Sequence, residues 1–564
     1  MTRKTAALLV LLLTAPAPVL VFAADATDLP PSSNESVELQ KLRRQSEDLL
    51  GQPEPFPRLT LEEPAAPEGQ ELQKAFYVGT ISVEPNTAIP EADMRKFLAP
   101  YEEREHTVDS INAICRRIEG EYQRRGLLTI VYMAPQRLEN NKLTLTVVVS
   151  KLGEVRVEGA KYFSAEQTLR HWDIPSGSEL RFEDMRAALA EMNQNPDRNV
   201  RVALKAGSRT GYTDIYLMQQ DRFPLHYGFS FDNQGSKLTG KWRRSVYAVH
   251  NNFLGLDDTL LANLSMANDV ASGYLYHTYP LPFWGLKLAI HFSRAAVTPT
   301  KEFSSLNIHG VTDDFGFELR RPALRAEHSK MDLIAGFNFN EKKTKAAGVV
   351  ITRDSLRMPS FGFDYQSADP GGNWRLKALS TFGLPFHEEA VNTTSRQAGS
   401  SFAKLNVQAE RTHYLWNETR LVATAQFQWS PNDLVPQAEL FMGGSDSVRG
   451  YPESDYGADI GGILNLEYWV PGTFLPGSLR LPYADKPLSQ QTEFAVFTDF
   501  GYGQLNNPGE TEHDSRRLMS AGIAAHVVWN QKIDLMLSWG IPFGDPMLSE
   551  SGRSQIHLKV QTNF

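Results

Sequence analysis

A single cysteine, Cys115, stands among 564 residues. No intrachain disulfide can form, so stability has to come from ordinary cores or from a closed sheet. Beyond residue 23 no apolar run approaches the roughly 18 residues that a membrane-crossing helix needs. If the chain spans a membrane, it does so with strands. Positive charge is also in deficit: 57 Lys and Arg face 66 Asp and Glu, a net charge of −9. Nucleic-acid binders normally show the opposite, a basic face. No G-x-S-x-G, H-E-x-x-H or paired-cysteine pattern occurs, and the 13 histidines show no ligand spacing. Gly235-Ser-Lys-Leu-Thr-Gly240-Lys241 has the spacing of a phosphate loop, but Trp242 stands where a Ser or Thr would hold magnesium. The segment also joins two strand patterns, and a hairpin cannot offer a helix N-terminus to phosphate. These absences argue against an enzyme, a metal site, a cofactor or a nucleic-acid partner.

The N-terminus speaks to compartment. Met1-Thr-Arg3-Lys4 is a basic n-region, Thr5 to Phe22 is apolar, and Val21-Phe22-Ala23 suits a signal peptidase. Residues 1–23 are therefore read as a signal peptide cleaved after Ala23. A retained anchor is the competing reading, weakened by the short run and by the absence of a lipid-accepting cysteine after it. Residues 24–73 are rich in Pro, Glu, Ser and Gln. Val37, Leu39, Leu42, Leu49 and Leu50 recur at helical spacing, which predicts an amphipathic helix over 36–50 capped by Ser36. A semi-rigid linker follows, with Pro53, Pro55, Pro57, Pro64 and Pro67. By composition alone, a disordered tail remains open.

From 74 to about 221 two α+β units follow one another, 74–150 and 151–221. The first is predicted as strand 76–83, helices 91–99 and 108–125, and strands 128–133 and 142–149. The second is predicted as strand 153–157, helices 165–171 and 181–194, and strands 198–206 and 213–219. A repeated β-α-α-β-β order is an internal repeat whose three-stranded sheets leave edges open. Tyr122-Gln-Arg-Arg-Gly126-Leu127 closes a helix with a glycine suited to a left-handed cap. Here the chain resembles POTRA domains, the periplasmic modules of polypeptide-transport proteins.

From 222 to 564 period-two alternation takes over. Leu225, Tyr227, Phe229 and Phe231 alternate with His226, Gly228 and Ser230, and the same pattern returns around Leu286, Met331, Leu421 and Ile533. Segments of about 9–10 residues are long enough to cross a bilayer when tilted. Tyr279, Phe283, Trp284, Phe386, Tyr468, Trp469 and Phe543 sit at strand ends, as an interfacial girdle requires. At about 20 residues per strand and loop, an even number of strands gives sixteen. Ile556, Leu558, Val560 and Thr562 alternate up to Phe564, which resembles the assembly signal of outer-membrane barrels.

One constellation remains. Phe441-Met-Gly443-Gly444-Ser-Asp-Ser-Val448-Arg449-Gly450-Tyr451 is a glycine-rich loop presenting one arginine. Fifty residues from Arg449, Phe497, Asp499 and Gly501 alternate with Phe494, Val496, Thr498 and Phe500. Alternation turns the second set to lipid and Asp499 to the lumen, where an inward-folded loop at 440–460 would supply a bidentate partner; an ordinary exposed loop arginine and an ordinary lumenal aspartate are the competing reading of the residues alone. Val448-Arg449-Gly450-Tyr451 and Phe497-x-Asp499-x-Gly501 resemble the paired motifs of the Omp85 superfamily. Asp232-Asn233-x-Gly235-Ser236-x-x-Thr239-Gly240 and Asn252-x-x-Gly255-x-x-Asp258 are similar to the first barrel strands of its two-partner secretion branch (TpsB), the haemolysin-activator and filamentous-adhesin transporters. The resemblance covers essentially the whole mature chain. It implies an outer-membrane pore inserted by the barrel-assembly machinery, with its POTRA pair in the periplasm capturing an unfolded TpsA-type exoprotein. It also implies that the N-terminal helix plugs the pore. Without a nucleotide site, directionality is expected to come from the partner folding outside. A barrel-assembly factor of the same superfamily, a passive porin and an outer-membrane enzyme are the alternatives. About 150 residues of periplasmic modules speak against a porin, and the two-unit array with a plug-like helix favours export.

Overall fold

The computed structural model describes residues 34–50 and 75–564, apart from 87, 210, 284, 300–306, 327, 386–397, 511 and 549–551. The expected signal peptide, the proline-rich linker, and the girdle positions Trp284 and Phe386 lie outside the described residues. Helix α1 spans Glu35–Leu49. Its cap is Asn34 rather than Ser36: the Asn34 side chain accepts the Ser36 N–H at 2.9 Å, and Asn34 alone has the extended backbone a cap needs.

In the first unit the expected strand 76–83 is broken at Gly79 into β1 (Phe76–Val78) and β2 (Thr80–Glu84). Helix α2 (Glu91–Leu98) follows, and then a strand the periodicity did not reveal, β3 (Arg104–His106), which pairs with β1. Helix α3 (Val108–Arg124) carries a Thr107–Ser110 capping box and ends before Gly126 at φ +84°. Strands β4 (Thr129–Tyr132) and β5 (Lys142–Val149) complete the sheet in the order β2-β5-β4. The second unit comprises β6 (Lys151–Glu158), α4 (Ala165–Leu169), α5 (Phe182–Met192), β7 (Arg198–Ala206) and β8 (Tyr212–Asp221), with sheet order β6-β8-β7. Each unit buries its own core, around Ile118 and Leu143 in the first and Met185 and Leu217 in the second.

The barrel opens with β9 (Leu225–Asp232), β10 (Arg243–His250), β11 (Thr259–Met266) and β12 (Val270–Pro280). The wall continues with β13 (Lys287–Val297), β14 (His309–Ala326), β15 (Ser329–Ala346), β16 (Val349–Asp369) and β17 (Gly372–Gly383). After β18 (Phe402–Tyr414) and β19 (Arg420–Trp429) the chain leaves the wall for a small hairpin, β20 (Leu440–Met442) and β21 (Tyr456–Ala458). It returns as β22 (Ile460–Pro471), β23 (Thr492–Gln504), β24 (Ser515–Trp529), β25 (Ile533–Pro542) and β26 (Gln555–Asn563). Sixteen antiparallel strands close, β26 pairing with β9. The outside is apolar, with Phe361, Val496, Ile523 and Ile556 exposed, while Ser293, Thr312 and Asp499 are buried on the inside. Trp469 is a correction. It shares the lumenal face of β22 with Asn465 and Glu467 and is 6% exposed, because its indole donates to Glu467 and stacks under Arg420 rather than reaching the lipid boundary.

The second unit is fastened to one rim of the barrel. Asp197 receives Arg222 Nε at 2.5 Å and Asn251 Nδ2 at 2.8 Å, and His226 Nε2 lies 2.7 Å away. Asp257, in the turn after β10, receives Arg198 Nη1 at 2.9 Å, with His171 Nε2 at 2.8 Å. Burial alone would raise both carboxyls. The hydrogen bonds, led by His226 on Asp197 and His171 on Asp257, outweigh it and hold both below the usual carboxylate range. The sign follows from linkage: a depressed carboxyl stabilises the docked state fully above its unfolded pKa of about 4, and that contribution is lost as pH falls through the folded value. Energy transfer between probes on this unit and the rim should therefore hold steady from neutrality down to about pH 5 and decline below about pH 4. Energy transfer unchanged down to about pH 3 would mean that these carboxylates do not hold the unit to the rim.

Candidate functional site

The lumen is occupied twice. Helix α1 lies inside the barrel, its polar groups paired with the wall. Thr344 Oγ1 donates to Glu35 Oε1 at 2.7 Å, Lys342 Nζ to Asn34 Oδ1 at 3.2 Å, and Asn263 Nδ2 to Ser46 Oγ at 3.0 Å. Its apolar edge, through Leu42, Leu49 and Leu50, joins Tyr247, Val249, Leu261 and Tyr274 of the wall. A helix with one apolar stripe and a polar remainder suits a lumen that offers both surfaces. A cavity of about 310 Å³ remains beside it, with Arg43, His291, Asp314 and Lys377 among its lining residues.

The second occupant is the segment between β19 and β22. Leu434, Val435 and Ala438 pack on Leu356, Met358 and Phe402. The hairpin itself, with Met442, Val448, Tyr451 and Tyr456, packs on Ile463 and Leu518. This apolar footing presents Arg449 to the wall. Its Nε and Nη2 donate to Asp499 Oδ2 and Oδ1 at 2.9 and 2.7 Å, and its backbone N–H reaches Oδ2 at 3.0 Å. The free Nη1 donates to Glu467 Oε1 at 2.5 Å, and the guanidinium lies 3.5 Å over the Phe497 ring. Asp499, fully buried, also receives Asn465 Nδ2 at 2.8 Å and Ser520 Oγ at 3.3 Å. A desolvated charge pair is tolerable where such hydrogen bonds satisfy the remaining lone pairs.

The neighbours of Arg449 account for the rest of the two motifs. Gly450 approaches β25 so closely that a Cβ would sit 2.8 Å from the Pro542 nitrogen. Tyr451 is fully buried and donates to the Asp545 carbonyl at 2.8 Å. A Cβ on Gly501 would press on Val448 at 3.0 Å. The structure thus brings Val448, Arg449, Gly450 and Tyr451 onto Phe497, Asp499 and Gly501. Phe564 lies far from them, at the closing seam, where it exchanges backbone hydrogen bonds with Tyr227. Sequence reasoning missed Glu467, Asn465 and Ser520. The odd positions of β22 alternate Ile463, Asn465, Glu467, Trp469, a signal for lumenal polarity but not for a partner. Among the described residues no group of His, Cys, Asp and Glu is arranged to hold a metal.

Comparison with known proteins agrees with this architecture. The family model described as haemolysin secretion/activation protein ShlB/FhaC/HecB matches residues 211–527, and a ShlB-type POTRA domain model matches 76–150. The outer membrane transporter CdiB of Escherichia coli is 23% identical over 476 residues, covering 80% of this chain and 78% of the relative. The hemolysin transporter protein HpmB of Proteus mirabilis is 21% identical over 424 residues, covering 70% and 72%. Among solved structures, CdiB from Escherichia coli superposes with a TM-score of 0.69 at 20% identity, covering 96% of this chain and all of that one. CdiB from Acinetobacter baumannii gives 0.66 at 16% identity, with coverage of 96% and 100%.

Removing one partner of a buried ion pair costs roughly 3–5 kcal/mol, because the survivor stays uncompensated. Arg449→Ala would strand both Asp499 and Glu467. The barrel should still assemble and migrate as a folded band, while residues 440–460 become open to protease and hydrogen exchange. Arg449→Lys should rescue poorly, since one ammonium cannot replace a planar fork shared by two carboxylates. Undiminished protection of the loop in Arg449→Ala would mean that its apolar footing alone holds it.

Proposed function

This chain belongs to the haemolysin secretion/activation protein family ShlB/FhaC/HecB, and from that we propose how its occupied lumen and periplasmic sheets move a partner. It is an outer-membrane transporter of the two-partner secretion type, with its POTRA units in the periplasm, and it exports a partner exoprotein. The observation that carries the finer reading is a polar lumen filled by a helix and a loop, neither of which belongs to the wall. Helix α1 is a plug that leaves the lumen during transport. Arg449 and Asp499 lock the inward loop at rest. Phe564 marks the barrel for assembly. The cargo is a large exported protein rich in β-helix, whether haemolysin, adhesin, contact-dependent toxin or haem-acquisition protein. It crosses unfolded and is pulled outward by its own folding.

Capture falls to a sheet edge. Side chains close several edge positions: Glu102 Oε1 accepts the Ile81 N–H at 2.9 Å, and Glu119 Oε1 accepts that of Val131 at 2.8 Å. On β7, Asn193 takes both the N–H and the C=O of Val200, at 2.7 and 3.0 Å. Those groups therefore point away from β8, and strand alternation turns the same groups of Val202 and Leu204 outward as well. An extended cargo segment adds there, by main-chain hydrogen bonds.

Two measurements test this reading. Deleting residues 30–52 should raise single-channel conductance in planar bilayers while secretion continues; unchanged conductance would place the working plug elsewhere. Val202→Pro in the full chain removes an outward N–H. It should cut secretion of the cognate partner at normal barrel levels, and full secretion from a correctly folded variant would exclude strand addition at β7.

A further inference from the structure

Closure sets β9 beside β26, and their ladder runs only from Lys559 to Asn563, the shortest in the wall. There Gly228 of β9 leaves a gap in the lumenal surface. A Cβ at this position would sit 1.9 Å from the Thr562 carbonyl oxygen and 2.5 Å from the Tyr247 hydroxyl. Tyr247 belongs to β10, in register with Gly228. Its phenol lies across the glycine, so the hydroxyl meets the Thr562 carbonyl at 3.0 Å and Asn563 Oδ1, and accepts from Gln561 Nε2 at 3.3 Å. A side chain of β10 is thus bonded to β26 over the strand between them.

The same ring is held from the lumen. Tyr247 is buried in the cluster that Leu42, Leu49 and Leu50 of α1 complete. A second line runs from α1 to the same last strand. Lys41 Nζ lies 3.6 Å from Glu453 Oε2, and Glu453 Oε1 lies 3.7 Å from His557 Nδ1 of β26. His557 Nε2 in turn donates to the Arg449 carbonyl at 2.9 Å. The helix therefore touches the seam through an apolar contact on Tyr247 and through an ionic one on Glu453.

We propose that Tyr247, laid across Gly228, is the fastening of the barrel's closing seam, and that α1 holds it there, so that plug and seam loosen together. This rests on α1 being a removable plug. Coupling of this kind is reciprocal: whatever frees Tyr247 also weakens the hold on α1. A hydrogen bond of ordinary net worth corresponds to about a fivefold change in the equilibrium it biases.

The test uses the full-length chain carrying Tyr247→Phe, with and without residues 30–52, in planar bilayers and on unboiled gels. Tyr247→Phe should make open events about fivefold more frequent and lower the temperature at which the folded band disappears. In the chain lacking 30–52 the same substitution should add little, because the ring has already lost its support. Tyr247→Leu, which removes the hydroxyl and the ring together, should at least match Tyr247→Phe. Wild-type behaviour of Tyr247→Phe in both assays overturns the fastening. An effect of equal size with and without the helix overturns the coupling. If deletion of 30–52 alone leaves conductance unchanged, the plug reading falls, and the unfolding temperature of Tyr247→Phe still decides the fastening.

Discussion

A sheet that crosses lipid has to close on itself, because an edge strand would leave N–H and C=O groups unpaired where no water reaches them. Here closure falls on β9 and β26. The backbones of Tyr227 and Phe564 exchange hydrogen bonds of 3.2 and 2.9 Å, and their rings stack with centroids 5.8 Å apart. Asn233 extends the seam by using its side chain as a strand substitute, accepting from Leu558 N at 2.8 Å and donating to the Ile556 carbonyl at 2.8 Å. Sixteen closed strands enclose more space than their own lumenal side chains fill. The helix, the inward loop and the polar lining are consequences of that geometry.

Inside such a lumen, charge pairs do what surface pairs do not. Arg95 and Glu91 of α2 are also within hydrogen-bonding distance, but their side chains are 80% and 77% exposed, where an ion pair contributes well under about 1 kcal/mol. Arg449 and Asp499 are 8% and 0% exposed. Removing water from both makes their separation costly, and Glu467 and Phe497 make the guanidinium's position specific. The loop is thus held by a contact that is strong while intact and leaves two uncompensated carboxylates once broken. Such a contact fits the lock proposed for this loop.

The periplasmic arm follows a different logic. The second unit is docked by carboxylates with several donors each. Leu128 N–H donates to the Leu180 carbonyl and Leu180 N–H to that of Ser150, so the two units are also bonded to each other. In the capture proposed for this unit, the accepting surface is the stretch of β7 at Val202 and Leu204, whose N–H and C=O point away from β8. Recognition by backbone there asks for an extended chain and tolerates varied side chains, as export of a long, unfolded partner requires.

Much of this was legible in the residues. Period-two alternation around Phe229, Leu333 and Leu535 reports a half-buried strand wherever it occurs, so the barrel and its strand number followed from local pattern and length. Helical spacing and turn residues placed α3, α5, β5 and β7 within a residue or two. Asn34 displaced Ser36 as the cap because capping depends on one backbone conformation, which composition does not report. Gly79 broke a strand because β3, invisible to periodicity, competes for β1. Trp469 turned inward because alternation with Asn465 and Glu467 puts it on the lumenal face, where Glu467 on the same strand and Arg420, its register partner on β19, hold the indole. By itself the sequence determined that a closed, polar-lined barrel carries two α+β units, since both rest on short-range periodicity or residue type; the pairing of Arg449 with Asp499 rested on the likeness of their motifs to a known superfamily. Only the tertiary structure decided that Glu467, Asn465 and Ser520 complete that site, which wall α1 lies against, and that Tyr247 crosses Gly228. Those contacts join residues far apart along the chain, and the sheet register that brings them together is a property of the closed barrel as a whole.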